Sequence, residues 1–186
     1  DGMQGGTGAT QECFIEHVGI PTLPAVRMAA EALKELGMHR EGVQLIVSGG
    51  IRSGADVAKA IALGADAVSI GTAALIALGD NNPDLEEEYN KLGTTAGFYD
   101  EWQAGDDPAG ITTQDEKLAA RLDPKKGGEK LANYLKVLTL EAQTLARACG
   151  KSHIRNLEPE DLNALTLEAS AMAKVPLAGT DWIPGK

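Results

Sequence analysis

The sequence predicts an α/β fold in which short apolar strands alternate with amphipathic helices. Three observations carry this. Residues 43–47 (VQLIV) and 67–70 (AVSI) are short, nearly continuous apolar runs of the kind that form buried parallel strands. Each run ends in a glycine turn, Ser48-Gly49-Gly50 in one case and Gly71-Thr72-Ala73 in the other. Each turn then leads directly into a stretch of helical periodicity. Strand, glycine turn and helix, repeated once, is the grammar of a parallel sheet with crossover helices.

The elements follow in order. Residues 1–10, DGMQGGTGAT, hold four glycines and form a loop, because that much glycine supports neither helix nor strand. A helix is expected over 22–36, capped by Thr22, with Pro24 in its first turn and Leu23, Val26, Ala30, Leu33 and Leu36 at helical spacing; Gly37 stops it. After the first strand, Ser53 caps a second helix in a capping box with Asp56, and Val57, Ala58 and Ile61 form its buried face. Gly64 ends it. A third apolar helical run, 74–78, follows the second strand. Residues 80–128 are polar and broken by Gly and Pro, with one helix expected over 83–92. The longest helix is expected over 129–149, with Leu131, Tyr134, Leu135, Leu138, Ala142, Leu145 and Ala146 on one face and Cys149 as a core thiol. A last helix is expected from near Pro159, with Leu162, Leu165, Ala169 and Met172 inward. Residues 175–186, with Trp182, read as an extended strap.

Composition excludes several functions. The 186 residues carry a formal net charge of −10, with no basic stripe to meet phosphates along a nucleic acid. No apolar run approaches the roughly 20 residues of a membrane span, so a cytoplasmic protein is expected. The two cysteines, Cys13 and Cys149, lack metal-ligand spacing and read as free thiols. The loop-like opening Asp1-Gly2-Met3 suggests a fragment or a processed chain. A complete (β/α)8 barrel needs roughly 250 residues.

The glycine turns carry the chemistry. Backbone N–H groups just past a strand's C-terminal end, followed by a helix N-terminus, attract a phosphate dianion, and glycine keeps a Cβ from holding the anion away. In (β/α)8 barrels this arrangement follows strands 7 and 8. Gly37 and Gly64 differ in kind, since they follow helices and serve as stops. Arg52, two residues past the double glycine, either contacts the phosphate or a substrate carboxylate or is solvated; the sequence does not choose between these. Gly5, Gly6, Thr7 and Gly8 form a loop whose amides suit a flat cofactor ring, with Gln4 placed to hydrogen-bond ring or substrate. His17 reads as a core or loop residue, His39 as solvated and His153 as a cap. Trp102 and Trp182 read as loop anchors. No Ser/His/Asp arrangement is discernible.

The segments GGTGA and SGGIRSGADVAKAIALGADAVSIGTAALIALG, with PAGITTQD further on, resemble the FMN-binding synthase domain of glutamate synthases. The resemblance is strong over 1–79. It implies the C-terminal part of a (β/α)8 TIM barrel with an appended helical tail. FMN phosphate would lie on Gly49-Gly50 and Gly71-Thr72-Ala73, beside Ser48 and Arg52, with Gly5, Gly6 and Thr7 bordering flavin and substrate. The family's reduced flavin delivers a hydride to an imine of 2-oxoglutarate and ammonia. The catalytic residues are expected upstream.

One departure is informative. The resemblance implies three cysteines for a 3Fe-4S cluster, but Asp80, Trp102 and Asp107 stand at those positions, and 81–101 looks inserted. Thiolates are the usual ligands, so no cluster is expected on this segment. With the tail segments ACGKSHIRNLEPEDL and VPLAGTDWIPG, this most resembles the synthase-like C subunits of N-methylglutamate synthases. That implies separate glutaminase-like and β-helix subunits, and methylamine or ammonia as nitrogen substrate, with glutamate or N-methylglutamate as product. The expected organisation is therefore 1–79 as barrel β/α units, 80–128 as a loop-rich excursion, and 129–186 as helices and strap. Rival readings are an inosinate- or dihydroorotate-type dehydrogenase and a flavin-binding subunit without chemistry.

Overall fold

The computed structural model describes residues 1–7, 10–39, 42–95, 101 and 104–185. The chain is a mixed α/β structure, mostly helical with a small parallel sheet. Its contacts sort into two compact units. The first comprises Asp1–Gly5, His17–Ile70 and Val137–Lys186; the second comprises Gly6–Glu16 and Gly71–Lys136.

In the first unit, α2 (Thr22–Glu35), β1 (Ile46–Val47), α3 (Gly54–Ala62) and β2 (Ala67–Val68) run in the expected order. The strands pair in parallel, Ile46 with Ala67 and Val47 with Val68. They are shorter than the apolar runs suggest, because polar groups end the ladder early. Leu45 gives its N–H to the Asp66 carboxylate at 2.9 Å instead of to a backbone partner. At the other end the last bond runs from Ser69 N–H to Val47 O, 2.7 Å. The α3 helix is the hub. Val57, Ala58, Ala60, Ile61 and Ala62 are all buried, which is why this helix reads as apolar on nearly every side. Burying a side chain the size of Ile61 contributes about 1.5–3 kcal/mol. On one flank α3 meets α2, and on another the 3-10 turn Ile154–Asn156.

The longest helix, α7 (Pro124–Ala148), begins in the second unit and ends in the first. It starts five residues before the expected position, because Asp123 Oδ1 accepts the N–H groups of Lys125 and Lys126 and Pro124 suits a first helical position. Leu138, Ala142 and Ala146 are its buried residues in the first unit, whereas Leu135 and Leu145 are exposed. Cys149 is exposed as well, not a core thiol, since it lies on the solvent side of the last turn.

The last helix is α8 (Leu167–Ala173), not a helix from Pro159. Residues Pro159–Asp161 make a single 3-10 turn. Ala164 then spends its backbone on the tail, donating to Pro176 O and accepting from Ala178 N–H, both at 2.8 Å. Helix resumes only where Thr166 Oγ1 accepts from Ala169 N–H. Its inward residue is Ser170, fully buried and donating to Val175 O at 2.7 Å, while Leu165 and Met172 face solvent.

The second unit contains α1 (Glu12–His17, its last residue in the first unit), α4 (Thr72–Leu78), a 3-10 turn at Pro83–Leu85, α5 (Glu86–Lys91) and α6 (Glu116–Ala119). The helix α1 is not among the elements expected from the sequence. Among the described residues, no helix is long and apolar enough to cross a membrane.

Candidate functional site

In the first unit the chain leaves β1 at Ser48 and turns sharply. Gly49 has φ +108 and Gly50 has φ +73, a region that side chains with a Cβ adopt only at a cost. The turn is also packed on the N-terminal loop. Ser48 O accepts the Gly2 N–H at 3.0 Å. A Cβ on Gly49 would lie 2.9 Å from the Gly5 nitrogen and 2.8 Å from Thr22 Oγ1. Gly5 and Gly49 are therefore paired glycines at a backbone crossing.

Gln4 anchors this crossing. Its Oε1 accepts both the Thr22 N–H, 3.0 Å, and the Thr22 hydroxyl, 2.9 Å. Thr22, expected as the cap of α2, is instead its first residue, after Pro21, and Gln4 supplies the missing acceptor. Gln4 Oε1 is thus committed to the protein, leaving only the Nε2 group to offer a ligand.

The amides divide into two sets. Arg52 and Ser53 both donate their N–H to Asp56 Oδ2, at 3.0 and 3.1 Å, and Asp56 N–H donates back to Ser53 Oγ, completing the expected capping box. Gly54 N–H donates to Glu141 Oε2 of α7 at 2.6 Å. The N-terminus of α3 is therefore occupied by two carboxylates of the chain itself. By contrast, the N–H groups of Gly49, Gly50 and Ile51 donate to no acceptor among the described residues. Three consecutive donors on a half-exposed glycine turn are therefore left available to an anion. The Arg52 side chain is exposed beside it.

In the second unit, Gly71 is the N-cap residue of α4 and its carbonyl accepts from Ala74 and Leu75. The N–H groups of Gly71, Thr72 and Ala73 donate to no acceptor among the described residues. A Cβ on Gly71 would meet nothing within 4 Å. Thr7 closes a turn with Thr10, its N–H donating to Thr10 Oγ1 at 2.8 Å, and Gly6 packs on the Thr10 side chain. Gly8 and Trp102 lie outside the described residues. Of the histidines, His153 acts as expected, its Nδ1 accepting the Arg155 N–H.

The second unit also holds a buried polar cluster that the sequence reading did not assemble. Tyr89 is fully buried and donates its hydroxyl to Asp107 Oδ1 at 3.1 Å, while accepting the Asn81 N–H. Asp107 accepts four donors: Tyr89 and Ala109 N–H on Oδ1, and the N–H groups of Ile111 and Thr112 on Oδ2. Asp80 is buried too, its Oδ1 accepting the Asn81 N–H. Burial, and then the charges of Asp107 and Asp80, hold the Tyr89 hydroxyl far above the usual phenol range. The available signal was the pair of aspartates at 80 and 107. Their partner, Tyr89, lies within the helix expected over 83–92. This donor set does not fit an iron–sulfur cluster. It offers carboxylates instead of thiolates, and the Asp107 oxygens are already committed to the chain's own donors.

Comparison with known proteins bears on both units. The conserved region of glutamate synthase matches residues 1–82 and 103–152, two stretches that flank the segment carrying Tyr89. The chain is 74% identical over 186 residues to a glutamate synthase large subunit-like protein of Rhizobium meliloti (strain 1021), covering all of this chain and 42% of that protein. It is 43% identical over 157 residues to an archaeal glutamate synthase (NADPH) of Methanocaldococcus jannaschii, covering 84% of this chain and 28% of the relative. It is 34% identical over 147 residues to the chloroplastic ferredoxin-dependent glutamate synthase of Oryza sativa subsp. japonica, covering 78% of this chain and 8% of the relative. The chain thus spans less than half the length of these relatives, and it belongs to the glutamate synthase family.

Proposed function

We propose that this chain holds the phosphate of FMN and serves a glutamate-synthase-type oxidoreductase that forms glutamate or N-methylglutamate from 2-oxoglutarate and ammonia or methylamine. The observation that carries this reading is the run of three unengaged amides at 49–51, next to a helix whose own first amides are occupied. A phosphate there meets backbone N–H donors without competing for those of α3. FMN, when bound and reduced by an electron donor, would supply the hydride for the imine carbon. The chain's residues bind and orient it: the amides of Gly49, Gly50 and Ile51, with Ser48 and Arg52 beside them. The amides of Gly71, Thr72 and Ala73 are assigned separately as phosphate donors, on the strength of their own free N–H groups. Gly5, Gly6 and Thr7 border the flavin, and Gln4 Nε2 is offered to substrate. No acid–base residue is assigned on this chain.

The barrel belongs to the same proposal. Ile46 is 63% exposed although it sits in a strand, and we assign the strands that would cover it to other parts of the longer protein. Glutaminase-like and β-helix subunits would be its partners.

The experiment is Gly71→Val in the full-length protein. Space around Gly71 is open, but its φ −113 and ψ −96 lie outside the regions a residue with a Cβ adopts freely, so thermal melting is measured beside binding and Gly71→Ala serves as the smaller variant. Retained FMN, read from the visible absorbance of the purified protein, should fall by about 100-fold in affinity as the branched side chain shields the amides. Normal retention would overturn this assignment. A wild-type protein that is colourless would favour a nucleotide-type dehydrogenase, and a flavin-loaded complex that turns over none of these substrates would favour a binding subunit.

A further inference from the structure

The tail helix α7 reaches the start of α3 through a single side chain. Glu141 Oε2 accepts the Gly54 N–H at 2.6 Å, across 87 positions of sequence. The backbones are in contact there. A Cβ built on Gly54 would lie 2.3 Å from Leu138 O and 2.6 Å from the Ala142 nitrogen, so only glycine lets α7 approach this closely. Leu138 and Ala142, on either side of Glu141, are buried and fix the helix in place. Gly54 is bonded in sequence to Ser53, and Ser53 and Arg52 share Asp56 Oδ2. An unbroken series of anchored amides therefore runs from α7 to Arg52, and the free amides at 49–51 begin one residue before it.

From this we propose that Glu141 is a positioning residue for the anion-binding turn: by holding Gly54, it orients the peptide planes that lead into 49–51. This rests on the proposed phosphate role of that turn. It also gives the helical tail a purpose in the site, since a carboxylate placed on the first amides of α3 leaves the glycine amides as the donors open to a phosphate.

The test uses the full-length protein with Glu141→Ala and Glu141→Gln. Hydrogen exchange, resolved by residue, should quicken at Gly54 in Glu141→Ala and also at Arg52 and Ser53, which Glu141 does not touch, by about tenfold. FMN affinity should fall by about tenfold while riboflavin affinity stays unchanged, because only FMN carries the phosphate. Glu141→Gln keeps an acceptor oxygen and should restore both. Faster exchange confined to Gly54, or equal loss of FMN and riboflavin, overturns the positioning role. If the wild type binds no flavin but Arg52 and Ser53 still quicken, the FMN assignment fails and the coupling through Glu141 stands.

Discussion

Gly49→Val in the full-length protein is expected to lose FMN and to lower stability together. The left-handed backbone at Gly49 costs a residue with a Cβ about 1–2 kcal/mol. The clash with Gly5 and Thr22 adds overpacking of about 1–3 kcal/mol, since the neighbour is backbone and has little room to move. Relief requires the 48–50 turn and the 1–5 loop to separate, which breaks the Gly2 N–H to Ser48 O bond. FMN affinity should fall at least about 100-fold, the loss expected when two charge-assisted hydrogen bonds go. Thermal melting with and without FMN checks both effects. A variant that melts normally and keeps FMN contradicts the crossing described here.

Asp107→Ala should be the most damaging single change in the second unit. Both carboxylate oxygens accept two donors each, so alanine strands the Tyr89 hydroxyl in a buried setting and three backbone N–H groups in a part-buried one. Each stranded group costs about 1–3 kcal/mol, and partial rehydration brings the expected total to about 3–5 kcal/mol. Asp107→Asn should recover only part of this. Its amide NH2 would face two N–H donors where the carboxylate presents an oxygen. Urea denaturation of the full-length protein measures both. A loss under 1 kcal/mol for the alanine variant would show that this cluster does not hold residues 80–91 to residues 107–112.

Local signals are legible in the sequence because their physics is local. The Ser53–Asp56 capping box needs only four residues, and it appears with both reciprocal bonds. The limits of α2 and α3 follow from their apolar period and from the glycines after them. Other features depend on partners distant in sequence. Strand β1 is cut short by the Asp66 side chain, Gln4 is drawn to Thr22, and Gly54 is sterically confined by α7. None of these can be inferred from periodicity. The Asp80–Tyr89–Asp107 cluster is the extreme case, since Tyr89 is buried with its hydroxyl on Asp107, and the Asn81 N–H is shared between Tyr89 and the buried Asp80. At the candidate site, the glycine turns were legible as turns. Which amides stay free was not, because that depends on Asp56 and Glu141 taking their neighbours.

Whether the amides at 49–51 grip the flavin's phosphate is read from hydrogen exchange of the full-length protein with and without FMN. Gly49, Gly50 and Ile51 are expected to exchange freely without FMN and to slow at least about tenfold on its binding, with riboflavin giving no such protection. If FMN binds and these three amides exchange as before, the phosphate lies elsewhere and the assignment is wrong.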